Sequence, residues 1–213
     1  MFSHPWTDQA DEAGEDQGTE PSVLSSLRHV RLLNNRLVER SRLLLQAEGT
    51  AGGRGEGHGS CSFNIALINR MEPVEDRPDL KLEPTFGQDR CSVSWHADSC
   101  LEHYSTIAVY HATDPETSPA DWRIALRVEP DAEGPAAGKL KLAGRKEVGV
   151  NSDRAPAIAV ALPSRSAYFL LDEFNHHHQH AVLAGRSHRW SSTHRVAKKE
   201  GHSFDYISGR QET

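Results

Sequence analysis

From residue 63 to residue 197 the chain is built of short runs in which apolar residues recur at every second position, broken by Gly, Pro and Asn. A period of two belongs to strands, whose successive side chains point to opposite faces. Trp122, Ile124, Leu126 and Val128 give the cleanest case, one apolar face of a half-buried strand. Residues 63–67, 91–98, 106–110, 157–162, 167–171 and 189–197 read the same way. Residues 71–88 carry Pro73, Pro78 and Pro84 and read as an ordered loop. Residues 130–156 read as a long connection in which Lys139-Leu-Lys-Leu142 adds a weak strand. Strands do not alternate with helices, which sets aside a doubly wound α/β fold. The expected architecture is a mainly β sandwich or jelly roll with helical support.

The helical support precedes the strands. Residues 1–20 hold six acids, no Lys or Arg and few apolar residues, and are expected to be a disordered acidic leader. Residues 21–48 read as one helix with Ser22 as N-cap and an apolar stripe of Val23, Leu27, Val30, Leu33, Leu37, Leu44 and Leu45. Arg28, Arg31, Arg36, Arg40 and Arg42 take its other sides. Packing on the domain with solvated arginines is favoured over contact with nucleic acid. Residues 49–60 form a Gly-rich loop without the Lys-Ser/Thr of a phosphate-binding loop. The remaining 61–213 form the β domain.

Composition bounds the function. A formal charge of -6 excludes nucleic-acid binding by bulk charge and leaves only a local basic patch. Cys61, Cys91 and Cys100 are an odd set with no C-x-x-C, so neither a disulfide scaffold nor a zinc site is expected, and a reducing compartment is the default. There is no run of 18 apolar residues and no secretory pattern at the N-terminus.

Two local patterns carry chemistry. His96-Ala-Asp98 places an imidazole and a carboxylate at i and i+2, on one face if the strand runs through both. A third ligand from a later strand would complete a facial triad of two His and one carboxylate, with open positions as in non-haem Fe(II) oxygenases. His176, His177, His178 and His180 are the candidates. With 13 histidines in the chain, His-x-Asp alone is a weak signal. The downstream strand is more specific. After a turn at Gly185, Arg189, Ser191 and Arg195 share one strand face, and Trp190, Ser192, His194 and Val196 take the other. Two arginines and a hydroxyl in a row suit a carboxylate-bearing ligand, because the guanidinium fork matches a carboxylate bidentately. The alternative is a solvated edge strand. The order metal ligands, then Arg and Ser, is the order of parts that 2-oxoglutarate needs.

Longer blocks extend these patterns: Asn69-Arg-Met-Glu-Pro73, Leu82-Glu-Pro-Thr-Phe-Gly87, Val93-Ser-Trp-His-Ala-Asp98, Ala108-Val-Tyr110, Tyr168-Phe-Leu-Leu-Asp172, and the run from Asn175 through Val196. In these blocks the chain resembles the AlkB-like Fe(II)- and 2-oxoglutarate-dependent dioxygenases, in their RNA N6-methyladenosine demethylase branch, from about Asn64 onward. The resemblance implies a double-stranded β-helix (jelly roll, cupin-like) with an N-terminal helix. It implies Fe(II) on His96, Asp98 and His180. It also implies 2-oxoglutarate held distally by Arg189, Ser191 and Tyr168, with Asn69 and Arg195 near its keto acid end. Val93, Ser94 and Trp95 match residues near the flipped base, with His96 stacking on it. The implied activity is oxidative demethylation of N-methylated bases in single-stranded RNA or DNA with O2, in the nucleus, with no membrane and no obligate protein partner. Ser99 stands where the family has a base-reading Glu. Nothing in residues 1–60 matches the family's lid, and no helical C-terminal domain precedes Thr213, so reduced substrate reading is expected. The alternatives are a dioxygenase of another substrate class, or a truncated or inactive paralogue that binds metal and cosubstrate without demethylation.

Overall fold

The computed structural model describes residues 2–3, 23–52, 59–84, 89–114, 116–128, 139–140, 148–149, 157–172 and 174–198. In chain order the elements are β1 (Phe2–Ser3), α1 (Val23–Gly52), β2 (Ile65–Met71), β3 (Cys91–His96), β4 (Ile107–Thr113), β5 (Arg123–Val128), β6 (Lys139–Leu140), β7 (Val148–Gly149), β8 (Ile158–Ala161), β9 (Ser166–Leu170), α2 (Phe174–His177), β10 (His178–Leu183) and β11 (Arg189–Arg195). One sheet has the order β1-β2-β11-β4-β9 and the other β3-β10-β5-β8, all antiparallel, while β6 pairs with β7 alone. Successive strands pass back and forth between the two main sheets. That is the interleaved jelly roll that the alternating runs led one to expect, in the double-stranded β-helix form that the resemblance implies.

The large sheet packs through both of its faces. Its inner face carries Ile107, Val109 and Leu170, with Leu101, Tyr168 and Phe174 against them. Its outer face carries Phe63, Ala108 and Val196, which receive Leu37 and Leu45 of α1. The buried stripe of α1 also includes Asn34 and Ser41, whose polar groups are satisfied. Asn34 Oδ1 accepts from His194 Nδ1 at 2.7 Å, and Ser41 Oγ donates to the Leu37 carbonyl at 2.8 Å. Leu27, assigned to the buried stripe from its spacing, is exposed. The alternation at Trp122 and Ile124 is borne out, since both are buried between the sheets with Leu162 and Val182.

Several boundaries differ from expectation. α1 continues to Gly52, into the stretch read as loop from 49, because glycine penalises a helix by only about 1 kcal/mol per residue and does not forbid it. Phe2 and Ser3, inside the acidic leader, pair with Leu67 and Ala66 at the edge of β2. Backbone pairing at a sheet edge needs no apolar composition. β2 runs from Ile65 to Met71, beyond the expected run of 63–67. β10 is a full strand where only metal ligands were read, and β3 stops at His96, so Asp98 lies past the strand. The Ser22 cap, residues 4–20 of the leader, residues 53–58 of the loop and Leu142 of the weak strand lie outside the described residues. Lys139–Leu140 is a strand.

Candidate active site

The first half of the site is assembled by β3, β10 and the turn that follows β3. β10 lies between β3 and β5 and places His180 opposite His96. Two register shifts in the β3·β10 pair separate what simple alternation would join. They leave His96 and Val93 on the inner side, with Cys91 and Trp95 outside. The His96 and His180 ring centroids are 4.2 Å apart. His96 Nε2 is 3.7 Å from Asp98 Oδ1. One donor atom from each of His96, Asp98 and His180 lies within 4.8 Å of the others.

Asp98 is brought there by a clamp rather than by strand alternation. Its backbone N–H donates to Asn175 Oδ1 at 2.9 Å, and Asn175 Nδ2 donates to its carbonyl at 2.8 Å. Asn175 belongs to α2, which leads straight into β10, so one short segment both holds Asp98 and delivers His180. His96 Nδ1 lies 2.8 Å from the Ser94 carbonyl; in the tautomer that donates this bond, Nε2 is left as a lone pair. Burial, with the neighbouring His96, pushes His180 down to about 4, so its ring is neutral, as a metal ligand requires. Arg195 Nη2 pairs with Asp98 Oδ1 at 3.1 Å. Asp98 Oδ2 and His180 Nδ1 are buried without a hydrogen-bond partner among the described residues. A buried carboxylate oxygen with no donor, beside a neutral imidazole, fits a divalent cation held by two nitrogens and one oxygen.

The other histidine candidates go elsewhere. His178 stacks on Phe174 at 4.4 Å, and His176 packs against Tyr104 and His103. His177 is not in the cluster.

The second half of the site is the inner face of the large sheet. The turn at Gly185 sets where β11 begins. Asp121 accepts from the N–H groups of Arg186 and Ser187 and from Ser187 Oγ, and Trp122 Nε1 donates to the Ser187 carbonyl at 3.0 Å. From there the inner face is laid out in transverse rows. Met71, Arg189 and Thr113 form one. Asn69, Ser191, His111 and Ser166 form the next. Leu67, Thr193, Val109 and Tyr168 form the third. Arg195 stands one further step along β11, opposite Ile65, where it meets Asp98. Asn69 therefore shares a row with Ser191 and lies between the two arginines.

Arg189 is 1% exposed. A buried guanidinium ordinarily has a neighbouring acid, an anion or water. Instead its Nε–H donates to Nδ1 of His111 at 2.7 Å, its Nη1 lies 2.8 Å from Met71 Sδ, and its Cζ is 5.6 Å from the Trp122 ring centroid. No carboxylate among the described residues pairs with it. Burial lowers its pKa, opposed by Tyr168. Tyr168 is pushed up to about 12, first by burial, so its phenol stays a neutral donor; Arg189, Asp98 and Arg195 all act on it. The phenol is thus within electrostatic reach of both ends of the site.

Of the residues matched to base contact, Val93 faces the inner cluster with Tyr168, and Ser94 is exposed. Trp95 is not brought to the site. It packs on the outer side with Cys91, Ala125, Ala181 and Leu183, its ring under Arg127 at 4.4 Å and its indole N–H bonded to the buried Glu83. Strand alternation alone turns Trp95 to the face opposite its neighbour His96, and the register shifts account instead for Val93 coming to the His96 side. Sequence reasoning also gave no role to His111 or Met71, and quoted Asn175 only as part of a block. A buried-His position on an alternating run (Ile107, Val109, His111) was the available signal for His111.

The FTO catalytic domain is the family whose model matches this chain, over residues 1–198. The match starts at residue 1, which corrects the expectation that similarity begins near Asn64. Alpha-ketoglutarate-dependent dioxygenase FTO of Xenopus laevis is 35% identical over 162 residues, covering 72% of this chain and 28% of that relative. The chain thus spans under a third of the relative's length. No helix among the described residues is long and apolar enough to cross a membrane. With the match covering most of its length, the chain belongs to the FTO catalytic-domain family.

Proposed function

We propose that the chain is an Fe(II)- and 2-oxoglutarate-dependent oxidative demethylase of N-methylated nucleobases, with N6-methyladenosine in single-stranded RNA as the favoured substrate. The observation that carries this is the convergence of His96, Asp98 and His180 beside an inner face that ends in a buried Arg189 with no acid partner among the described residues. Together they form a metal-binding end and a carboxylate-binding end on one surface. The family gives that pairing its chemistry.

When bound, Fe(II) and 2-oxoglutarate supply the oxidation: O2 and the cosubstrate are consumed, succinate and CO2 leave, and the N-methyl group becomes a hemiaminal that loses formaldehyde. The residues do the rest. His96, Asp98 and His180 hold the metal on one side and leave positions open. Arg189, with Ser191 and Tyr168, takes the distal carboxylate, while Arg195 and Asn69 orient the keto acid end. Tyr168 donates its phenolic proton without losing it, since its pKa is raised to about 12. The packed inner face, with Val109, Ile107 and Leu170 buried, keeps water from the cosubstrate. A methylated base has to leave the stack to reach the metal, which costs least in a single strand. Val93 and Ser94 stand on the strand next to His96 and border the base, and Trp95 supports that strand from behind.

The test is formaldehyde and succinate release from N6-methyladenosine RNA by the Fe(II)-loaded chain, with Asp98→Ala as control. Equal release of both by wild type, lost in Asp98→Ala, supports the reading. Succinate without formaldehyde points to another substrate class. Release of neither points to a binding-only paralogue. The nuclear location implied by family likeness is tested by imaging the tagged chain in cells.

A further inference from the structure

We propose that His111 is a positioning residue that sets the plane of Arg189 and thereby the preference for a cosubstrate with a distal carboxylate. This rests on the reading that Arg189 receives that carboxylate. His111 is fully buried on β4, opposite Ser191 of β11 and Ser166 of β9, in the middle of the large sheet. Its Nδ1 accepts the Arg189 Nε–H at 2.7 Å. Only an unprotonated Nδ1 can accept, so the ring is neutral.

The choice of a neutral partner has a consequence. A carboxylate beside Arg189 would close an ion pair and compete with any incoming anion. A neutral imidazole satisfies Nε and leaves the charge in place. The other near groups are neutral too, Met71 Sδ at Nη1 and the Trp122 ring near Cζ. Among the described residues no hydrogen-bond acceptor meets Nη2. Nε lies in the plane of the guanidinium, so tying it to an imidazole on a rigid central strand fixes the plane. The Nη edge is then presented ready-made for two parallel hydrogen bonds. Without the acceptor the fork can rotate, and it offers one bond as readily as two.

A general packing role for His111 would alter stability without altering which keto acid binds. Keto acid choice is therefore the informative readout. Binding of 2-oxoglutarate and of 2-oxopentanoate, the same chain without the distal carboxylate, is titrated at fixed Mn(II), for wild type, His111→Leu, His111→Asn and Arg189→Ala. Mn(II) affinity and thermal melts are measured alongside. Wild type should favour 2-oxoglutarate strongly. His111→Leu should lower that preference about tenfold, the loss of roughly one charge-assisted hydrogen bond, with Mn(II) affinity unchanged. His111→Asn should keep most of it, because Asn Oδ1 stands near the position of Nδ1. Arg189→Ala should abolish it. A wild-type preference in Arg189→Ala overturns the underlying carboxylate site. Loss in Arg189→Ala with wild-type preference in His111→Leu overturns the role of His111 alone. Should His111→Leu not fold, His111→Gln replaces it, its acceptor one methylene too far; equal preference in His111→Asn and His111→Gln then overturns the positioning role.

Discussion

Acidification should destabilise this fold well above the range where carboxylates titrate, because histidines are buried as neutral rings, two of them, His111 and His194, away from the metal ligands. His111 and His194 are both fully buried, and burial pushes each down to about 4, with Arg189 adding to the effect at His111. The folded value lies below the unfolded one, near 6.5, so the unfolded chain takes up protons first as pH falls. Their stabilising contribution is complete above about 6.5 and is lost progressively down to about 4. Integrating over that difference gives about 1.8 kcal/mol per ring between pH 7 and pH 5, or about 3.6 kcal/mol for the pair. Against a typical domain stability of roughly 5–15 kcal/mol, that loss is large. The assay is urea denaturation of the chain at half-unit steps from pH 7 to pH 5, for wild type, His194→Asn and His111→Asn. Each substitution has its own fixed cost, but each should remove one ring's share of the pH dependence. Stability that is flat from pH 7 to pH 5, or a slope that neither variant changes, would refute the reasoning.

Three other outcomes are expected. Arg189→Lys keeps the charge and loses the planar fork, so 2-oxoglutarate affinity at fixed Mn(II) should fall roughly 10–100-fold with Mn(II) affinity spared; equal affinity would place the carboxylate site elsewhere. Asn175→Ala releases both ends of the Asp98 clamp and should weaken Mn(II) binding about tenfold, the usual scale for a residue that orients a ligand, as read by calorimetry. Gly185→Ala places a Cβ 2.6 Å from Asp121 Oδ2 and from the Trp122 ring, so it should cost about 1–3 kcal/mol in urea denaturation by forcing the turn apart.

The architecture was legible because its period is local. Trp122 and Ile124, or Arg189 and Ser191, declare a strand without reference to anything distant. The row of Arg189, Ser191 and Arg195 on one face came from that period, and the structure places Arg189 and Ser191 in the interior. What was illegible depends on pairing. The nearness of His96 and Asp98 was read from strand alternation, yet β3 ends at His96 and the approach is made by Asn175, 77 residues away. Trp95 was placed near the substrate by the family resemblance. Strand alternation turns it away from His96, outward onto Glu83 and Arg127, while two register shifts between β3 and β10 bring Val93 to the His96 side. β10 itself was hidden because histidines occupy its alternating positions where Val or Ile would announce a strand. Likewise the buried face of α1 contains Asn34 and Ser41, which a purely apolar stripe passes over. Asn34 is there because His194, on the outer face of β11, needs an acceptor.

The most direct measurement is calorimetric titration of Mn(II), a redox-quiet stand-in for Fe(II), with and without saturating 2-oxoglutarate, in wild type and in Asp98→Ala. If His96, Asp98 and His180 form the metal site beside the Arg189 end, wild type binds one Mn(II), and 2-oxoglutarate and Mn(II) tighten one another by the same factor, as linkage requires. Asp98→Ala should lose both the metal and the coupling while melting near the wild-type temperature. Unchanged Mn(II) affinity in Asp98→Ala, or a wild type in which 2-oxoglutarate leaves Mn(II) binding untouched, would contradict the assignment.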